Sequence, residues 1–178
     1  MEYVEQNFFQ MENDIKNAAA KYIKVDPQEI VVTGSTTMGL TLLCNGLKLN
    51  HEDEIITTTH AQYSTHKSLD YAANKNGATI KKITLYKDAA NTTVDEIVNA
   101  VTSTITEKTR VLALTWVHSC TGVKTPIRAI TDAIKDLNKN RTEANRIYVC
   151  VDGVHGFGIE DSTMEDLGCD FFVAGTHK

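Results

Sequence analysis

Six short apolar runs recur along the chain: "IVVT", "EIITTT", "ATIKKITLY", "TRVLALTWV", "RIYVCVD" and "DFFVAG". Most are separated by segments whose apolar residues fall three or four apart, the spacing of one helix face. Strands that alternate with helices of about 10–15 residues need long crossovers, and such crossovers are right-handed and cover the sheet. The pattern therefore predicts an α/β fold, a three-layer sandwich with a mostly parallel sheet, whose first strand is the buried run 30–33. Helices are predicted over 3–22, from "GSTT" to about Leu49, over 61–76 with Gly77 as the stop, over "TVDEIVNAVT", and from Pro126, where proline suits the first turn. The first of these places Val4, Phe8, Met11, Ile15, Ala18, Ala19 and Tyr22 on one face, as an amphipathic helix does. No repeat or Gly/Ser-rich linker interrupts the chain and only Pro27 and Pro126 occur, so residues 1–178 read as one domain.

Composition narrows the function. A length of 178 residues allows a buried core without a structural staple. A net charge of −5 and a pI near 5.6 offer no basic surface to nucleic acid or to an anionic membrane. Lys81, Lys82 and Lys87 read as a solvated face. No apolar run reaches the roughly 20 residues that span a bilayer, and the start "MEYVEQNFFQMEND" is acidic where a signal peptide is basic and then apolar. The chain is predicted to be cytoplasmic. Cys44, Cys120, Cys150 and Cys169 form no C-x-x-C pair, which argues against a metal site or a disulfide framework and for reduced, mostly buried thiols. Cys120 stands apart because its setting, "WVHSCTG", follows a strand.

In parallel sheets of this kind ligands sit outside the carboxyl ends of the strands. After the first run comes "TGSTTMG", hydroxyl residues at a helix start, where free backbone amides and the helix dipole suit a phosphate; Ser35 or Thr36 could equally be a plain N-cap. Gly34 and Gly39 do not make the G-x-G-x-x-G fingerprint, which disfavours a nucleotide-dependent enzyme. After the second comes His60, which could be a base, a ligand, a ring that stacks on a flat cofactor, or a structural residue; His66, further on, reads as a surface residue. After "RIYVCV" comes Asp152, costly to bury alone and so expected to meet a cation, or else part of an Asp-Gly turn. After the last run comes "GTHK", ending in Lys178. A phosphate cradle, a stacking ring, an anion for a protonated pyridine nitrogen and a lysine amine are together the set that pyridoxal 5'-phosphate requires.

With those residues in view, the chain resembles the class V aminotransferases of fold type I pyridoxal-phosphate enzymes, from near its start to Lys178. "VCVDGVHGFG" followed by "CDFFVAGTHK" is similar to the family's aspartate loop and Schiff-base lysine, and "GSTTMGL" to its phosphate loop. The resemblance implies that Lys178 binds the cofactor covalently and moves the proton at the substrate's α carbon. It implies that Asp152 keeps the pyridine nitrogen protonated, His60 stacks on the ring, and His155 lies near the phenolic oxygen. Thr36, Thr37, Thr176 and His177 are implied to contact the phosphate, with Ser119 also among the cofactor-binding positions. Where the cysteine desulfurases of the family usually have asparagine and glutamine, this chain has Ser119 and His155, which look more like the isopenicillin N epimerase branch of epimerases, lyases and transferases. Gly175 stands where many relatives have serine. The resemblance further implies a small amino acid substrate, a homodimer, and a C-terminal small domain beyond Lys178, so that 1–178 is the cofactor-binding large domain with little turnover alone. Desulfurase-type carbon–sulfur cleavage and a non-catalytic domain that binds a phosphorylated ligand are the alternatives.

Overall fold

The computed structural model describes residues 2–176, without the side chains of Glu2, Gln6 and Phe8. Its strands are β1 (Glu54–Thr58), β2 (Thr79–Ile83), β3 (Thr109–Thr115), β4 (Tyr148–Asp152) and β5 (Phe171–Val173). They form one sheet in the order β2-β1-β3-β4-β5, with every pairing parallel. The helices are α1 (Glu2–Ile23), α2 (Thr36–Gly46), α3 (Tyr63–Asn76), α4 (Val94–Thr102), α5 (Ile127–Asn138) and the short α6 (Met164–Leu167).

The period of two along each strand divides the core into two layers. Ile56, Leu112, Leu114, Val149 and Val151 join Ile97 and Val101 of α4 and Ile130 and Ile134 of α5 in one cluster. Their neighbours Ile55, Val111, Ala113 and Cys150 join Cys44 of α2 and Leu69, Ala72 and Ala73 of α3 in the other. Interior strands buried on both faces must be apolar throughout, which is why they read as unbroken runs. Helix ends follow local chemistry. Ser35 caps α2 by accepting from the Met38 amide at 3.1 Å, Thr93 does the same for α4, and Gly77 stops α3 at φ 71°, a conformation that glycine adopts without strain.

Two expectations change. Residues 30–33 are not a strand: Ile30 is extended, but the run pairs with no strand among the described residues, and Val31 is 77% exposed. β-branched composition favours extended backbone, yet a strand also needs a partner. This run instead borders a groove of about 380 Å³ shared with Leu42, Phe172 and Val173 beside edge strand β5. The second change concerns α1, which forms as expected but without burying the expected face. Tyr3, Val4, Met11 and Ile15 are all exposed, and Ala20 is its one buried residue among the described side chains. Its end is held by Tyr22, packed edge-on against Phe157 at 5.3 Å. No helix among the described residues is long and apolar enough to cross a membrane.

The turn after β4 depends on two glycines. A Cβ on Gly153 would overlap the Phe172 ring, and one on Gly156 would overlap the Trp116 indole. Gly156→Ala is therefore expected to cost about 1–3 kcal/mol, the range for overpacking a core. Gly34→Ala, whose nearest neighbour would be Met38 Sδ at 3.9 Å, should stay within about 0.5 kcal/mol. Urea unfolding of the two variants checks the contrast; equal midpoints would remove the ring contact as a constraint.

Candidate functional site

The sheet order reverses direction between β1 and β3, and loops leaving adjacent strands on opposite courses open a crevice there. The strand ends are level, since Thr115 pairs with Asp152 and Asp152 with Val173. The loop after β1 brings His60, the loop after β3 brings His118 and Ser119, and β4 ends on Asp152. Gln62 Nε2 donates across the crevice to Ser119 Oγ at 3.3 Å.

Asp152 is 6% exposed. Its Oδ2 accepts from the Thr65 hydroxyl at 3.0 Å and its Oδ1 from the Val154 amide at 3.2 Å. Among the described residues Asp152 forms no ion pair, and a hydroxyl from α3 and a turn amide are the groups that solvate it. Thr65, itself 3% exposed, carried no signal in the sequence because threonine in a helix is ordinary. His66 also differs from expectation. It is half-buried, and its Nε2 lies 2.8 Å from the Thr58 carbonyl, tying α3 to the end of β1.

Buried polar atoms without a hydrogen-bond partner gather at this edge. Among the described residues they include the hydroxyls of Thr57, Thr58 and Thr115 and Nε2 of both His60 and His118. Such atoms are rare in folded proteins because each forfeits its hydration, so several at one switch point mark a place that suits a polar ligand or ordered water. Burial lowers the pKa of His60, and burial together with the nearby His60 takes His118 down to about 4. Both rings are neutral at ordinary pH. The sequence reading passed over His118, although it follows a strand just as His60 does.

Thr36 and Thr37 lie in the first turn of α2, behind the Ser35 cap. Val173 Cγ1 would come within 3.0 Å of a Cβ on Gly39, so α2 approaches the end of β5 closely, and Gly175 and Thr176 follow that end. His155 is half-buried in the turn after Asp152. His177 and Lys178 lie outside the described residues. The thiols are apart from this chemistry: burial raises Cys44 to about 11 and Cys169 to about 12, and Cys150 well above its ordinary value, while Cys120 is exposed in the turn beside Ser119.

The sequence model of one family, Aminotransferase class-V, matches residues 1–178. A probable cysteine desulfurase of Haemophilus influenzae is 30% identical over 155 residues, 86% of this chain and 33% of that protein. Human selenocysteine lyase is 27% identical over 93% of this chain and 42% of its own length. Among solved structures, the cystine C-S lyase C-DES in complex with its reaction product cysteine persulfide superposes with a TM-score of 0.83 at 23% identity, over 99% of this chain and 44% of that one. The chain thus spans less than half the length of these three proteins. The first two are named a probable cysteine desulfurase and a selenocysteine lyase, not epimerases, and they lend the expected epimerase-like branch no support.

Two outcomes follow from the geometry. Thr65→Val should cost about 1–3 kcal/mol by leaving a buried carboxylate oxygen unpaired, whereas Thr65→Ser should recover most of it; equal losses in thermal unfolding would show that the methyl group matters and not the hydroxyl. Stability should also fall with acid. The folded pKa of His118 lies below its ordinary 6.5, so between about 6.5 and about 4 the unfolded chain binds a proton that the folded one refuses. That stability is complete above the window and is lost as pH drops through it. His118→Asn should flatten this slope in urea titrations at stepped pH.

Proposed function

Since the chain belongs to the aminotransferase class-V family, we propose that it is the cofactor-binding part of a pyridoxal 5'-phosphate enzyme that cleaves the carbon–sulfur or carbon–selenium bond of a cysteine-like amino acid. The observation that carries the reading is Asp152: a buried carboxylate with no cationic partner among the described residues, at the end of an interior strand, on the sheet edge where several other buried polar atoms are unpaired. The cofactor fits that edge. Asp152 supplies the anion that holds a pyridine nitrogen protonated, His60 covers the ring, and Ser119 and His155 flank it. The α2 amides with Thr36 and Thr37, together with Thr176 and His177, take the phosphate, and Lys178 supplies the amine. When bound, the cofactor draws off the electrons released at the substrate's α carbon. The protein's own tasks are to hold the Asp152 carboxylate toward the pyridine nitrogen, to keep His60 neutral against a cationic ring, and to move the α proton with Lys178. The bond that breaks is read from the relatives, two of which are a cysteine desulfurase and a selenocysteine lyase. Ser119 and His155, where the family's desulfurases usually have asparagine and glutamine, favour a second reading in which the α carbon is only reprotonated. The working unit in either case is a cytoplasmic homodimer.

The test uses the full-length protein loaded with the cofactor. It should be yellow, and borohydride should bleach it and leave the cofactor on the peptide that contains Lys178. L-Cysteine, L-cystine and L-selenocysteine, supplied separately with excess dithiothreitol to reduce any persulfide or perselenide formed, should yield sulfide or selenide. Asp152→Asn should keep the fold and most cofactor while losing turnover by about a hundredfold or more. Exchange of the α hydrogen with deuterium and no sulfur or selenium released would select the second reading. Cofactor found on another lysine, or on none, would overturn both.

A further inference from the structure

Behind His60 stands a pair of side chains that none of these roles employs. The Tyr86 ring lies 4.2 Å from the His60 ring and within 9° of parallel, and His118 lies 5.2 Å from His60 at 26°. Tyr86 and His118 are themselves 5.8 Å apart. A sandwich with His60 in the middle would separate them by nearly the sum of the first two distances. They therefore do not flank His60 on opposite sides, and the face away from Tyr86 is covered by neither. The three rings come from three loops, after β1, β2 and β3, so the arrangement is built by the sheet and not by one turn.

The Tyr86 hydroxyl is fixed at two points, 2.9 Å from His118 Nδ1 and 2.9 Å from Thr121 Oγ1. Tyr86 is 5% exposed and His118 2%. Rotation about the last torsion of histidine is soft, with no narrow well of its own to fix a ring plane, so packing has to supply the angle. The order of donors also follows. His118 Nε2 is buried and unpartnered, and an orphaned N–H is rarer than an orphaned acceptor. Nδ1 therefore carries the proton and donates to the Tyr86 oxygen, and the Tyr86 hydroxyl donates onward to Thr121. A neutral His118 agrees with its depressed pKa of about 4.

We propose that Tyr86 and His118 are positioning residues: together they hold the plane of His60 so that its open face receives a flat, electron-poor aromatic ring, with the Tyr86 hydroxyl as the pin. The inference rests on His60 as the ring that covers pyridoxal phosphate. It adds that the orientation is set one layer back, by a hydroxyl that touches no ligand.

The experiment takes the full-length protein, loaded and unloaded. Tyr86→Phe keeps the ring and removes the pin, His118→Leu removes one of its partners, and His118→Asn returns a polar group within reach of Nδ1. Tyr86→Phe and His118→Leu should each weaken cofactor binding about three- to tenfold, the worth of one neutral hydrogen bond, and alter the visible circular dichroism of the bound cofactor. His118→Asn should recover most of both. The double variant should be less impaired than the product of the two single effects, because both remove the bond between Tyr86 and His118. In the unloaded protein, nitrogen-15 spectra of the imidazoles should show His118 protonated on Nδ1, and the His60 signals should broaden in Tyr86→Phe. Thr121→Val, at an exposed position, removes the other partner and should act in the same direction if His118→Leu fails to fold. Tyr86→Phe with unchanged affinity, dichroism and His60 signals, while His60→Ala changes them, would overturn the positioning role and leave the cofactor reading standing. A His60→Ala protein with normal affinity and spectrum would overturn both.

Discussion

An ionisable carboxyl group at the last position of an interior strand has to be solvated by the protein itself, and much of this structure follows from how Asp152 is solvated. Its strand is buried on both faces, so neither helical layer can send water to it. Thr65 of α3 and the amide of Val154 are what reach it. That requirement fixes α3 above the carboxyl edge. It also requires the chain after β4 to turn at once, and the turn can pass against the Phe172 and Trp116 rings because Gly153 and Gly156 carry no side chain to meet them. Two neutral or weakly dipolar donors stabilise the anion without neutralising it, so its charge remains directed at whatever enters the crevice.

The two ends of the sheet differ in how their polar groups are treated. At the amino ends Asp53 lies 3.7 Å from Arg110, Arg146 pairs with Asp170 at 2.6 Å, and Arg141 donates to the carbonyls of Thr106 and Thr109. Apart from Arg146 Nε, which stays buried and unpaired, these are closed arrangements whose effect ends in stability. At the carboxyl ends Thr58, Thr115, His60 and His118 each keep a buried atom unpaired. A fold tolerates such a local cost where a ligand or ordered water meets the unpaired groups, and the strand order places that cost at the reversal between β1 and β3.

How far the sequence disclosed this depends on the range of each cause. The interior strands β1, β3 and β4 were legible because burial on both faces forces unbroken apolar runs, and the helix limits because Ser35 at the start of α2 and Gly77 at the end of α3 act locally. Asp152 and His60 were legible because a strand end is itself a local signal. Thr65 was not: its role depends on a partner 87 residues away, and nothing in "YSTHKS" distinguishes it from a helical threonine. His66 was misread for the same reason, since its bond runs to a strand and not along its own helix. Residues 30–33 misled because apolar, β-branched composition reports a preference for extension and says nothing of whether a neighbour is present. The exposed face of α1 is the same error in helical form: periodicity shows that a face is apolar, while burial requires something to cover it.

The ring cluster joins these points. A side chain can meet a ligand with a defined face only if its own freedom has been removed, and at His60 the backbone does not remove it, because the residue lies in a loop between β1 and α3. The stiffness is borrowed from two other loops, through a phenol held by both an imidazole and a threonine hydroxyl. Each link is a neutral contact, which matters at the sheet edge that also carries Asp152: a cationic imidazole there would repel a pyridinium ring. Burial that keeps His60 and His118 uncharged and the hydrogen bonds that hold the Asp152 carboxylate in place are therefore two halves of one arrangement, in which neither imidazole brings a positive charge to the crevice.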